Sequence, residues 1–345
     1  MKVALLGDTH FIYKKNSKLF KEYFEKFYTD IFFPYLLRNN IRVVIQSGDL
    51  FDDRKNTNNG GFAECKKFFF DTLKQYNITL YTIIGNHDIF YKNTLSVNSP
   101  SLWLGNEYDN VYIIDRPAEV IALDMLFVPW LCDDNTIECL EKIASSHMNY
   151  CMGHFEIKNF SMYKGIECKE GLESNIFRKY SKVFSGHFHH KSNKNNIYYL
   201  GTPYQMTSHD ANDERGFYIF DTITGDMEFI ENPYTMFNII EYSDDICFSE
   251  LSKYENTYVK VIVNERTEKF EVFLDHLNNI NPYDVSVIEK NTEIELNEVD
   301  VDETESTLNI IMGYINNVKN KDIDNKILSD KMESLYLEAL HIENT

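Results

Sequence analysis

Five times in its first 190 residues the chain runs from an apolar stretch into a glycine and then into a side chain suited to binding metal. The segments are Gly7-Asp8-Thr9-His10, Gly48-Asp49-Leu50-Phe51-Asp52, Gly85-Asn86-His87-Asp88, Gly153-His154 and Gly186-His187-Phe188-His189. Glycine lets the backbone turn sharply at a strand end and approach its neighbours, so the next side chain points into a crevice shared at the sheet edge. Any one of these segments arises easily by chance, and a lone histidine is more often a surface or hydrogen-bonded residue. Five in this order require strands lying side by side with their ends together.

Carboxylate, imidazole and amide oxygen without thiolate suit a hard-to-borderline divalent ion, with Mn²⁺ favoured, Mg²⁺ an alternative and Zn²⁺ less suited. Asp8 and His10, like His187 and His189, stand two positions apart on one face of an extended segment, within reach of one metal or of two adjacent ones. Two ions about 3.5–4 Å apart need a bridging carboxylate, for which Asp49 is the natural choice.

Apolar strand candidates at residues 3–6, 43–46, 80–84, 125–128, 150–152, 183–184 and 198–200 alternate with helical periodicity at 17–37, behind a Ser17 cap, and at 62–76. The alternation implies a layered α/β domain over residues 1–220. Beyond it, strands at 216–221, 236–242, 258–263 and 285–289 with a helix near 269–279 indicate a small α+β domain spanning 221–292. Residues 293–305 are so acidic that they read as a solvated linker. Residues 306–345 offer two amphipathic helices, an expected helical hairpin.

The net charge of −20 argues against a polyanionic substrate until it is located along the chain. Residues 1–220 carry 25 basic and 26 acidic side chains, whereas 221–345 carry 9 and 28. The nearly balanced first part is therefore where a polyanion would bind. Six scattered cysteines without a C-x-x-C pair speak against a disulfide framework or a zinc ribbon and for a reducing, cytoplasmic setting. No apolar run reaches the roughly 18 residues of a membrane span, the N-terminus reads as a strand rather than a secretion signal, and no Walker-type ATP motif is present.

The motif order D-x-H, GD, GNHD, GH, GHxH resembles the calcineurin-like metallophosphoesterases. GNHD rather than GNHE, GDLFD without DRG, and Gly201-Thr202-Pro203 leading to Arg215-Gly216-Phe217 look like the SbcD-type double-strand-break repair nucleases within them. Size and aromatic richness are most similar to the recombination-endonuclease subunits of T4-like phages. The resemblance implies a four-layer α-β-β-α sandwich with a capping domain. It also implies one metal held by Asp8, His10, Asp49 and His189, and a second held by Asp49, Asn86, His154 and His187. His87 would stay off the metals as acid or transition-state stabiliser, with Asp52 orienting it. The loop after the first motif departs from the family, carrying Phe11-Ile12 in place of the usual Leu-Gly.

Basic residues beside the motifs are candidate phosphate contacts: Lys14, Lys15, Arg54, Lys55, Lys92, Lys158, Lys164 and Lys191, with Tyr91 and Tyr163 as candidate stacking residues. Taken singly, each is more often solvated surface. The resemblance implies an SMC-like coiled-coil ATPase docking on the C-terminal hairpin, and a homodimer for which the stripe Phe62, Phe69 and Leu73 is a candidate face. The leading expectation is a Mn²⁺-dependent DNA nuclease, a 3′-to-5′ exonuclease with structure-selective endonuclease activity, acting in recombination and break repair. A small-substrate phosphodiesterase and a non-catalytic DNA-end tether are the competing readings.

Overall fold

In the computed structural model, residues 1–289 are described except 56, 57, 106, 164 and 165, together with Lys331 and Met332. The acidic linker and almost all of the expected C-terminal hairpin lie outside the described residues, as does Lys164. Two compact units are present, Met1–Asn238 and a second beginning at Ile239.

The first unit is built on two six-stranded sheets. One runs in the spatial order Met227–Glu231, Gly216–Asp221, Lys2–Leu6, Val43–Gln46, Thr79–Ile83, Val111–Ile114. Its last four strands are mutually parallel, and Gly216–Asp221 pairs antiparallel with the first. The other runs Ser192–Lys194, Ile197–Tyr199, Lys182–Gly186, Tyr150–His154, Met125–Val128, Ala118–Val120, with a parallel centre and antiparallel edges.

Strand periodicity explains the layering. Met125 and Phe127 turn inward to join Val3, Leu5, Ile45, Met152 and Phe184 in one buried cluster between the sheets. Their neighbours Leu126 and Val128 face the other way, onto Cys139 and Ile143 of the helix Thr136–Ser145. Parallel strands covered on both faces need apolar residues at every position, so these read as continuous apolar runs. Helices on the outer face of the first sheet complete an α-β-β-α sandwich, the fold that the resemblance implies. They pack an aromatic core in which Phe24 stacks on Tyr204 at 3.6 Å and Tyr28 meets Phe69 at 5.0 Å.

Ser17 makes no side-chain cap bond at Lys18–Phe27, contrary to expectation, whereas Asn58 caps Asn59–Cys65 by accepting from Gly61 N at 2.9 Å. Gly216–Asp221 and Met227–Glu231 form a hairpin that extends the first sheet, so this unit continues past residue 220. The strand Phe237–Glu241 crosses the boundary between the units, and with Tyr258–Val263 and Asp284–Glu289 it carries the helix Glu268–Asn279. Its Phe270, Phe273 and Leu277 cover Val259, Val261 and Val263. All six cysteines are free, five of them buried. Among the described residues no helix is long and apolar enough to cross a membrane.

Candidate metal centre

All seven expected ligands converge where the central strands of the two sheets end. Asp8, His10, Asp49, Asn86 and His154 are buried, while His187 and His189 are half-buried. Asp8, His10 and His189 form one group of convergent ligand atoms, and Asp49, His154 and His187 another. Asn86 joins the second, its Oδ1 lying 2.8 Å from His154 Nε2 and 2.9 Å from His187 Nδ1. Asp49 lies between the groups, with Oδ2 3.2 Å from His154 Nε2 and 3.9 Å from His10 Nε2.

Glycine is indispensable at this edge. A Cβ on Gly85 would stand 2.1 Å from Asp49 Oδ1, and one on Gly186 would stand 2.2 Å from Asp8 Oδ1. The ligands themselves take left-handed backbone conformations at His10, Asp49 and His187, with φ of 42°, 52° and 84°. Each such residue costs on the order of 1–3 kcal/mol, which the surrounding hydrogen bonds must hold in place. Both Thr9 N and His10 N donate to the Asp49 carbonyl, and the Tyr204 hydroxyl donates to the Thr9 carbonyl.

The donor set fits a cation. His154 Nδ1 lies 2.8 Å from the Ser47 carbonyl, which can only accept, so Nδ1 carries a proton. In neutral imidazole Nε2 then presents a lone pair, yet it faces two acceptors, Asn86 Oδ1 and Asp49 Oδ2. His10 Nε2 and His189 Nε2 face each other at 3.1 Å, and His10 Nδ1 is buried without a hydrogen bond. Convergent lone pairs of this kind are stabilised by a shared positive ion. Without one, protons serve instead. Burial disfavours the charged form of His154, but the Asp49 carboxylate outweighs it and raises the pKa to about 9. Burial opposes ionisation of Asp49 as well, and His154, His87 and His10 together hold it well below the usual carboxylate range. Asp8 is pushed up to about 6, chiefly by burial.

His87 is in neither of these two groups but converges with His10 and Asp52 in a third, its ring edge-on to His10 at 4.8 Å. Its Nδ1 is 2.8 Å from the main-chain carbonyl of Asp52. The expected orienting role of the Asp52 carboxylate is therefore taken by that residue's backbone. The carboxylate itself lies 3.4 Å from His10 Nδ1 and accepts from Lys14 N at 3.3 Å.

Several supporting residues escaped the sequence reading. Asp88 is buried and accepts from Leu50 N, Phe51 N and Gly85 N at 3.2, 3.1 and 2.9 Å, tying the second and third motifs together. It is the last residue of GNHD, a position from which this could have been inferred. Ser47 donates to Asp8 Oδ1 at 3.0 Å. Trp130 places its ring 5.0 Å from that of His187. Buried Arg215 donates to the His189 carbonyl, to Thr202 Oγ1 at 2.5 Å and to Asp210 Oδ1 at 2.5 Å, bracing the fifth motif from behind. Arg215 and Thr202 stand in the segments that carry the resemblance, but their pattern does not announce that the guanidinium would meet the His189 carbonyl.

The expected phosphate contacts are unequal. Lys14, Lys15, Lys55 and Lys92 are exposed beside the motifs. Half-buried Arg54 instead donates from Nε to the Ile89 carbonyl at 2.9 Å. Lys158 pairs with Glu173 at 2.7 Å, and Lys191 pairs with Glu214 while lying 3.9 Å over the Phe229 ring.

Comparison with known proteins agrees with this geometry. Residues 1–191 match the family of calcineurin-like phosphoesterases. The chain is 34% identical, over 98% of its own length and 99% of the relative's, to exonuclease subunit 1 of Enterobacteria phage T4.

Proposed function

The chain belongs to the calcineurin-like phosphoesterase family, and on that premise we propose that it is a nuclease cleaving phosphodiester bonds in DNA, with two Mn²⁺ ions as its metals. The observation that carries the reading is the complete, convergent ligand set with a separate imidazole, His87, held beside it. A DNA-end tether has no chemical need for that imidazole. The name of the T4 relative, an exonuclease subunit, supports DNA as substrate and a second subunit as partner.

Asp8, His10, Asp49 and His189 would hold one ion, and Asp49, Asn86, His154 and His187 the other. When bound, such ions polarise the scissile phosphate and supply the nucleophile at neutral pH. The protein's own contribution is positioning and proton transfer. Asp8 is fixed by Ser47 and by His187 N, and His154 by the Ser47 carbonyl. His87, its Nδ1 bonded to the Asp52 carbonyl, would act as the acid in its doubly protonated form, giving the Nε2 proton to the departing oxygen and remaining a neutral imidazole with Nδ1–H. Lys14, Lys15, Lys55 and Lys92 would position the phosphate backbone without reading sequence.

The finer reading is a 3′-to-5′ exonuclease with structure-selective endonuclease activity, working as a homodimer with an SMC-like ATPase in recombination and break repair. Residues 306–345 would be the docking segment. The deciding assay incubates the chain and its His87→Ala variant with end-labelled duplex and single-stranded DNA in Mn²⁺, Mg²⁺ or EDTA. Mn²⁺-dependent shortening that the variant lacks is the expected result. Hydrolysis of a small phosphodiester, with DNA left intact even after the ATPase is added, would favour the small-substrate reading instead.

A further inference from the structure

The third motif runs directly into a loop whose tip is unusual. Phe90 is 42% exposed and Tyr91 52%, and the two rings meet edge to face at 4.8 Å. Single exposed aromatic residues need no explanation, but this pair stands on a braced support. Ile89 bridges Asn98 across the loop, and Phe90 N donates to the Val97 carbonyl at 3.0 Å. The Ile89 carbonyl accepts from Arg54, which ties the loop to the second motif. Asp134 N donates to the Asn93 carbonyl at 3.2 Å. Beneath the tip, Ile89 and Leu95 share a small buried cluster with Trp130, the residue whose ring stands beside His187. The loop thus continues directly from the third motif, buries its base beside Trp130 and presents two rings, with exposed Lys92 next in sequence and exposed Lys55 following Arg54, which bonds the loop.

We infer that Phe90 and Tyr91 are a stacking platform for nucleobases of the strand whose phosphate lies at the metal centre. The inference rests on the nuclease reading above. Aromatic faces accept any base, and cationic neighbours suit the backbone between bases, which is the chemistry of sequence-tolerant single-strand binding. A platform beside the catalytic edge holds an unpaired end in place while the scissile phosphate is engaged.

The test compares the full chain with Phe90→Ala/Tyr91→Ala and Phe90→Tyr/Tyr91→Phe in Mn²⁺. Three quantities are read: KM on a single-stranded oligonucleotide, quenching of 2-aminopurine placed near its end, and kcat/KM on bis(p-nitrophenyl) phosphate. The double alanine variant is expected to raise the oligonucleotide KM about tenfold or more and to lose the quenching. It should keep small-diester hydrolysis within about twofold, because no reacting group has changed. The aromatic-for-aromatic variant should behave as wild type. Unchanged KM and quenching in the double alanine variant would overturn the inference and leave the pair as a protein-docking patch. Equal loss on both substrates would overturn it as well, by making the pair structural. Wild-type chain that hydrolyses the diester but neither binds nor cuts DNA would instead remove the nuclease reading on which the inference stands.

Discussion

His154 Nδ1 lies 2.8 Å from the carbonyl oxygen of Ser47, and this contact decides which nitrogen faces Asp49. Because Nδ1 is committed, Nε2 must hold either a proton or a metal. In the metal-free protein the His154 pKa stands near 9, above its ordinary 6.5. The stabilisation from its charge is then fully present below about 6.5 and is lost as pH rises through about 9. Metal binding must displace that proton, so Mn²⁺ affinity should climb with pH up to about 9 and then level. Calorimetry at pH 7 in buffers of different ionisation enthalpy should detect proton release on binding. No release would contradict a protonated His154.

His87→Ala should leave Mn²⁺ binding at the two proposed ion sites unchanged, since neither proposed ligand set includes His87 although it converges with His10 and Asp52, and should lower kcat by roughly 10²–10⁴ as expected for loss of a proton donor. Asp49→Ala should instead disturb both ions. A metal titration of the two variants side by side separates the roles, and equal metal loss in both would refute the assignment.

Gly85→Ala should weaken metal binding by roughly 10–100-fold, because the added Cβ would lie 2.1 Å from the Asp49 carboxylate and 2.3 Å from its backbone nitrogen. Gly60→Ala is the matched control: its Cβ would meet nothing closer than 3.5 Å. In a helix that change should be neutral or stabilising by up to about 1 kcal/mol. Circular dichroism and Mn²⁺ titration of both variants test the contrast.

Arg215→Met should cost about 3–5 kcal/mol of stability, since it removes the cationic partner of buried Asp210, leaving that carboxylate only its backbone donors Met206 N and Thr207 N, and removes the donor under the His189 carbonyl. Urea unfolding of the metal-free protein measures this directly. A loss under 1 kcal/mol would mean that the cluster relaxes and gives the fifth motif little support.

Deleting residues 306–345 should leave Mn²⁺-dependent cleavage by the remaining chain and remove stimulation by an ATPase partner. Cleavage assays with and without the partner and ATP distinguish the cases. Loss of basal cleavage with an intact fold would assign the segment to the catalytic body.

The metal-ligand candidates were legible because strand ends at a sheet edge carry a local signature, an apolar run, a glycine and a ligand, which needs no knowledge of distant contacts. The strands around 43–46, 125–128 and 258–263 were legible from their short apolar or alternating runs. Several edge strands were not. Val111–Ile114, Ala118–Val120 and Ser192–Lys194 are short and only partly buried, so their periodicity is faint.

What the sequence by itself determined is the identity and order of the groups able to meet at that edge. Tertiary structure alone decided how each is aimed. Asp52 illustrates the division: its carboxylate was the obvious partner for His87, yet the path of the loop beside Phe11 gives His87 the backbone carbonyl and turns the carboxylate toward His10 and Lys14. Arg215 illustrates it from the other side, since only the pairing of Gly216–Asp221 with Lys2–Leu6 carries it behind the fifth motif. Residue type sets which proton or ion a side chain can hold, but the acceptor facing each nitrogen comes from segments up to 180 residues away, and only the folded chain supplies it.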